Sequence, residues 1–178
     1  MKIQILDASM AADKHPQLVG LLLDALAHGA SMGLPPALTL RDAEDYWRGV
    51  QVALAGGTRV LLAATHEGRL AGTVQLELYQ RANCRDGAEV QKMMVHSHLR
   101  RRGIGSVLLR AAEAETREMG RSLLFLDTEA GSGAEALYHG LGYTRVDALD
   151  DAQDHALAAG CARPTAIYYK SLLMPELA

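Results

Sequence analysis

Glu89-Val-Gln-Lys-Met-Met-Val-His-Ser-His-Leu-Arg-Arg-Arg-Gly-Ile-Gly-Ser-Val-Leu-Leu109 runs from an apolar strand pattern through a basic, glycine-containing turn into a helix pattern. That order builds an anion site. Gly103 and Gly105 let the backbone curl tightly and approach a ligand closely. The first amides of the following helix, through Ile104, Gly105 and Ser106, have no intrahelical acceptor and point outward. Arg100, Arg101 and Arg102 add cationic donors beside the positive end of the helix dipole, so field and orphan N–H groups favour the same ligand class. The expected ligand carries phosphates, a pair of them.

The residues after the glycines disfavour two common nucleotide folds. A Walker loop needs Gly-x-x-x-x-Gly-Lys-Ser/Thr, and no such lysine is present; a dinucleotide fingerprint needs a third glycine where this chain has Leu108. The order Arg100-x-x-Gly103-x-Gly105 instead resembles the pyrophosphate-binding motif of the GNAT N-acyltransferase superfamily. Downstream, Gly133-Ala-Glu-Ala-Leu-Tyr-His-Gly-Leu-Gly-Tyr143 resembles that family's second signature, with Tyr138 in the tyrosine slot. One helix and the strand Ser122 to Asp127 separate the two motifs, as the family requires.

Further stretches are similar to the tabtoxin-resistance branch of that superfamily, whose members acetylate an amine on a β-lactam toxin. They are Ala88-Glu-Val-Gln-Lys-Met-Met-Val95, Leu126-Asp-Thr-Glu-Ala-Gly-Ser132, Tyr143-Thr-Arg-Val146 and Pro164-Thr-Ala-Ile-Tyr-Tyr-Lys170. His28-Gly-Ala-Ser-Met-Gly33 and Tyr46-Trp47 extend the likeness toward the amino terminus.

Composition agrees with one enzyme domain over residues 1–178, its acyl-CoA core about residues 88–146. At 178 residues and 49% hydrophobic, the chain can bury a sizeable core without disulfides or metal. The net charge of −3 argues against nucleic acid as a partner, because the arginine triplet is a local patch on a mildly acidic protein. Cys84 and Cys161 are expected as reduced thiols, and no Cys/His spacing suits zinc. The longest apolar run, Leu21-Leu-Leu, is too short for a bilayer, so no membrane partner and a cytoplasmic location are expected. A homodimer is left open.

Periodicity predicts a strand at 2–7, a helix at 14–28, a glycine- and proline-rich loop from Gly29 to Pro36 and a helix at 40–55. A hairpin at Glu67-Gly68-Arg69 joins strands at 60–65 and 70–78. A strand at 89–95, a helix at 103–119, a strand at 122–127, a helix at 133–141 and strands near 143–146 and at 165–171 complete the pattern. The order implies an α/β fold. From the resemblance it is the single-domain GNAT acyl-CoA N-acyltransferase fold, a mixed, mostly antiparallel sheet flanked by helices.

The resemblance implies an acetyl-CoA-dependent N-acetyltransferase, with acetyl-CoA as co-substrate. Its pantetheine arm would lie along Met93, Met94 and Val95, using their main-chain groups rather than side chains; a main-chain N–H there can also polarise the thioester carbonyl. An ammonium substrate must lose a proton before it attacks, and Glu89 and Asp127 are the candidate bases. Read without the family, Glu89 is equally a solvated strand-start acid and Asp127 a helix cap; the family tips both toward catalysis. Glu129 reads as surface. Tyr138 is the expected general acid for the departing thiolate, set against ring packing alone. Many members carry asparagine seven residues before that tyrosine; here the residue is Gly131, and Ser132 is the candidate substitute beside the arm. His96 and His98 receive no role. His28 and Trp47 are candidates to shape the acceptor pocket, although capping and core packing explain each taken alone. Direct transfer is favoured over a covalent acyl-enzyme because neither cysteine lies in a motif. The expected acceptor is the amine of a small amino-acid-like molecule, with a β-lactam toxin or antibiotic the choice the resemblance suggests. Alternatives are a protein or peptide, a polyamine or aminoglycoside, or a non-catalytic acyl-CoA-sensing module.

Overall fold

A computed structural model of the chain describes residues 1–30, 32–35, 37–82, 85–146 and 165–173. Cys84, Cys161 and the Ala156–Gly160 stretch lie outside the described residues. Strand β1 (Lys2–Leu6) leads into helices α1 (Ala8–Asp13), α2 (His15–Ala27) and α3 (Leu40–Ala55). Strands β2 (Arg59–His66), β3 (Arg69–Leu78) and β4 (Gly87–Val95) follow. Then come α4 (Ile104–Glu118), β5 (Leu123–Glu129), α5 (Gly133–Gly140), β6 (Thr144–Arg145) and β7 (Thr165–Ser171).

The helix predicted at 14–28 is α2, and the short α1 ahead of it was not predicted. Asp7, expected to end the first strand, is the N-cap of α1 and accepts a 2.8 Å hydrogen bond from the Met10 amide. Pro16 sits in the first turn of α2, where its missing N–H costs nothing, so the chain restarts a helix at His15. Helix α3 opens with a reciprocal cap between Thr39 and Asp42, whose main-chain bonds measure 3.0 and 3.1 Å.

The strands form one seven-stranded sheet in the order β1-β2-β3-β4-β5-β7-β6. Every pairing is antiparallel except β4 with β5. Helices cover both faces. Leu62, Ala64, Val74, Leu76, Leu124 and Leu126 pack with Leu108, Leu109 and Tyr138 of α4 and α5, whereas Leu61 and Ala63 pack with Leu18, Leu22 and Trp47 of the α1–α3 layer. Strand β2 therefore buries consecutive residues on opposite faces and reads as a continuous apolar run.

Strand β4 changes face partway along. Ala88 and Val90 belong to the α4 side, yet Met94, of the same parity, belongs to the α1–α3 side, while Met93 and Val95 pack toward α4. One extra residue explains the exchange: Thr73 opposes Met94 and Gln75 opposes Gln91, so two residues of β3 span three of β4. Lys92 occupies this β-bulge with φ of +49°. Glu89, Gln91 and Lys92 consequently share the α1–α3 face of the sheet.

Candidate active site

The site begins where two parallel strands part. Pairing of β4 with β5 runs through Gly87↔Leu123, Ala88↔Leu124 and Glu89↔Phe125 and then ceases, although each strand continues on its other neighbour to Val95 and Glu129. From Val90 onward the β5-facing edge of β4 has no strand partner among the described residues, leaving main-chain donors and acceptors along a cleft. The cleft has a volume of about 1410 Å³ and extends from Gly29, Ala30, Met32, Gly33 and Leu34 past the diverging strands to the starts of α4 and α5. That exceeds the usual small-ligand cavity of roughly 300–1,000 Å³ and suits an elongated ligand with a second molecule beside it.

One end is built for an anion. Gly103 is the N-cap of α4 in the left-handed region, φ +77°, and no side chain caps the helix. The first intrahelical bond is Val107 N–H to the Gly103 carbonyl, so the amides of Ile104, Gly105 and Ser106, all at the cleft wall, have no acceptor in the helix. Gly103 supplies the turn that only glycine adopts freely. Gly105 does not: it is helical, and a Cβ there would stand 3.4 Å from Leu137, an ordinary contact.

The three arginines separate. Arg100 donates to the His28 carbonyl at 3.0 Å and to the Val95 carbonyl at 3.4 Å, tying the end of β4 to the end of α2. Arg101, with φ +63°, lines the cleft. Arg102 is exposed and away from the lining, so the expectation that all three arginines serve the anion is corrected: Arg101 is at the cleft wall with no hydrogen bond to a described residue, and Arg100 is held in the structure. Met93, Met94 and Val95 form the wall by their strand, the Met94 side chain being buried in the core.

At the fork, Glu89 accepts a 2.8 Å hydrogen bond from the Tyr79 hydroxyl, whose ring stacks on Phe125 at 5.0 Å. Asp127 is exposed at the cleft wall on β5. Leu124 and Leu126 face α4, so Asp127 shares with Glu89 the opposite face of the sheet. Tyr138 enters from the α5 side, 6% exposed, its ring packed on Tyr168 and Tyr143 with centroids 5.7 and 6.0 Å away. Burial, with the Asp127 charge adding to it, pushes the Tyr138 phenol up to about 12. Acids on one face and a protonated phenol on the other thus meet across the gap between β4 and β5.

Ser132 is the N-cap residue of α5 and lines the cleft, its Oγ 3.3 Å from the Thr128 hydroxyl. Gly131 holds φ +78°, and its amide donates to Glu135. The Tyr168 hydroxyl and that amide keep the Glu135 carboxyl below its ordinary range.

Two expected pocket residues are corrected. Trp47 is 0% exposed in the core between α3 and the sheet, edge to face with Tyr46, and takes no part in the cleft wall. His28 caps α2, and its ring nitrogen bonds the Asp24 carbonyl at 2.8 Å; Gly29 and Ala30, not His28, line the cleft. Sequence reading passed over Lys92. Its signal was a lone charge inside Val-Gln-Lys-Met-Met-Val, a run otherwise fit for a doubly covered strand. Among the described residues no group of three or more His, Cys, Asp and Glu side chains is placed to hold a metal, and no helix is long and apolar enough to cross a membrane.

The fold is shared with several solved acetyltransferases. Aminoglycoside 6'-acetyltransferase type Ii superposes with a TM-score of 0.71 at 20% identity, covering 98% of this chain and 99% of its own. The ribosomal-protein-alanine N-acetyltransferase from Brucella melitensis gives 0.71 at 20% identity over 96% and 99% of the two chains. The yncA protein from Salmonella typhimurium, solved with acetyl-CoA, gives 0.68 at 17% identity over 100% and 99%. At these identities the likeness speaks to the fold. The sequence itself goes further: residues 29–143, well over half of the chain, match the pattern of the acetyltransferase (GNAT) family, and the chain belongs to that family.

Proposed function

We propose that this enzyme transfers an acetyl group from acetyl-CoA directly to the amine of a small amino-acid-like molecule. The observation that carries the reading is the parting of β4 and β5 after Glu89, which exposes a main-chain edge between an uncapped helix start and two carboxylates. The chain's residues fit the donor: the amides of Ile104, Gly105 and Ser106 with Arg101 for the pyrophosphate, the Met93–Val95 edge for the pantetheine arm, and Ser132 beside it. Acetyl-CoA supplies the acyl group in activated form, as a thioester. Structures of a PaiA N-acetyltransferase and of an aminoglycoside 6'-N-acetyltransferase were solved with coenzyme A, which supports the same choice here.

Glu89 or Asp127, directly or through water, accepts the proton that the ammonium must lose before its nitrogen attacks the thioester carbonyl. A main-chain N–H of the Met93–Val95 edge holds the carbonyl oxygen as charge gathers on it. Tyr138 gives its phenolic proton to the sulfur as the carbon–sulfur bond breaks, and the second proton, shed by the acylated nitrogen, returns to the phenolate through water. The products are an amide and free CoA thiol.

The stretches shared with the tabtoxin-resistance acetyltransferases favour a β-lactam amino acid as acceptor and a protective role against a toxin or antibiotic. The test is thiol release from acetyl-CoA against β-lactam amino acids, common amino acids, polyamines, aminoglycosides and peptides, with the product identified by mass. Turnover confined to amino acids is the expected result. Turnover only with peptides or polycations would discard this acceptor class, and CoA binding without turnover across the panel would point to an acyl-CoA sensor.

A further inference from the structure

Lys92 has no part in the chemistry above, yet it stands in the cleft wall among the residues that do. It is half-buried, at the one position of β4 with a left-handed φ, +49°, a conformation unfavourable for a long side chain. Its ammonium donates to the Met32 carbonyl in the loop after α2 and would lie 3.7 Å from a Cβ at Gly33. That carbonyl is its only hydrogen-bond acceptor among the described residues, and no described carboxylate comes within ion-pair distance. Nearby Arg59 is differently placed, since Gln75 accepts from it at 2.9 Å and Glu77 at 3.0 Å.

A half-buried ammonium holding one neutral acceptor is costly. Burial lowers its proton affinity even though Asp127, Glu89 and Glu77 act the other way. A single bond to a carbonyl needs no charge, and a neutral donor would make it without the cost. The charge answers to something else. The bulge brings Lys92 onto the face that carries Glu89 and Asp127, roughly 10 Å along the strand from Glu89 at about 3.3 Å per residue. That face therefore presents the Glu89 and Asp127 carboxylates, suited to an amine, and, within the length of a small molecule, the Lys92 ammonium with donors to spare.

We infer that Lys92 is a specificity-determining residue that binds a carboxylate of the acceptor, so that the preferred acceptor carries an acid on the same small molecule as its reactive amine. The inference rests on the acceptor side of the proposed function and narrows it. It also disfavours polyamines and aminoglycosides, which would bring further cations against a fixed ammonium without offering it an anion.

The experiment compares L-serine, L-threonine, L-lysine and L-methionine, each with its own carboxamide, on the wild-type enzyme and on Lys92→Met and Lys92→Gln. Binding to the CoA-loaded protein is measured by calorimetry and acetylation by thiol release. The wild type should bind at least one acid more tightly than its amide, and either variant should lose roughly ten- to a hundredfold on that acid, the scale of a charged hydrogen bond, with its amide unaffected. In turnover the loss should fall on KM, with kcat nearly kept. Equal losses on acid and amide would reduce Lys92 to a tie for the Met32 loop and overturn the inference. The absence of an acid preference in every wild-type pair would overturn it with no variant needed, even if neither variant folds. The acid preference in binding without any acetylation would uphold Lys92 and sink the enzymatic reading, whereas acetylation of acids and amides alike would do the reverse.

Discussion

Tyr138, the proposed general acid, is the side chain at which a catalytic and a folding role separate most cleanly. Its ring is core, packed on Tyr143 and Tyr168, but its hydroxyl makes no hydrogen bond to a described residue. Tyr138→Phe keeps the ring and removes the proton, so thermal stability and acetyl-CoA binding should be unchanged while kcat falls roughly a hundredfold, as thiol release under saturating substrates will show. A wild-type rate in the variant would remove Tyr138 from the chemistry. With its phenol held up to about 12, the group stays protonated through neutral and moderately alkaline pH, and the wild-type rate should show no alkaline fall from this residue near the ordinary tyrosine value of about 10. Trp47 makes the opposite case. It is fully buried and off the cleft, so Trp47→Ala should cost about 3–5 kcal/mol in urea unfolding, with KM for the acceptor unchanged in whatever fraction remains folded. That Glu89, Asp127 and Tyr138 would come together beside one cleft was legible because each sits inside a motif whose spacing fixes its place on a strand or helix. Trp47 and His28 were misplaced because a residue type shows that a side chain can line a pocket but not which face its helix turns inward. Lys92 was missed because its meaning depends on a bulge, and a bulge is a property of two strands.

Among the elements, the β3–β4 pair carries the tightest packing beside the cleft. Gly72 lies opposite Val95, and a Cβ there would come within 2.5 Å of the Met94 carbonyl oxygen and 3.1 Å of Leu108. The first contact is main chain and cannot swing aside. Gly72→Ala should therefore cost about 1–3 kcal/mol in urea unfolding and raise KM for acetyl-CoA, because the strand that must yield is the one expected to hold the pantetheine arm. Full stability and an unchanged KM would show that β4 shifts without consequence, against the role given to its edge. Most elements were readable from periodicity: α3 runs from Leu40 to Ala55 and β7 from Thr165 to Ser171 as predicted. Helix α1 was not, although Asp7 is a fit cap for it: six residues long, with Ala11 its buried side chain, it offers no periodic apolar stripe to read.

At the scale of the whole molecule, the cleft is possible because β4 and β5 separate after three parallel pairs, and nothing local in either strand announces where pairing ends. Something must then hold the parted layers in register, and Asp24 of α2 does so from the side opposite α5. Its carboxylate accepts from both the amide and the hydroxyl of Ser97 at 2.7 Å, fixing α2 to the turn between β4 and α4, while Arg100 returns to the His28 carbonyl. Burial raises the Asp24 carboxyl, but the two Ser97 bonds together with His96 and His28 outweigh it and leave it below the ordinary aspartate value. A carboxyl lowered by folding stabilises the native state fully above its unfolded value of about 4 and loses that contribution as pH falls through the folded one. Asp24→Ala should thus cost about 2 kcal/mol at pH 7, since it leaves the Ser97 amide unpaired, and the difference from wild type should shrink as urea midpoints are followed down through pH 4 to 3. The same variant should raise KM for acetyl-CoA with kcat nearly unchanged, because the turn it frees carries Arg101 and the start of α4. A loss of stability that stayed constant down to pH 3 would mean that the carboxylate charge is irrelevant, and an unchanged KM would mean that the anion end of the cleft keeps its shape without α2.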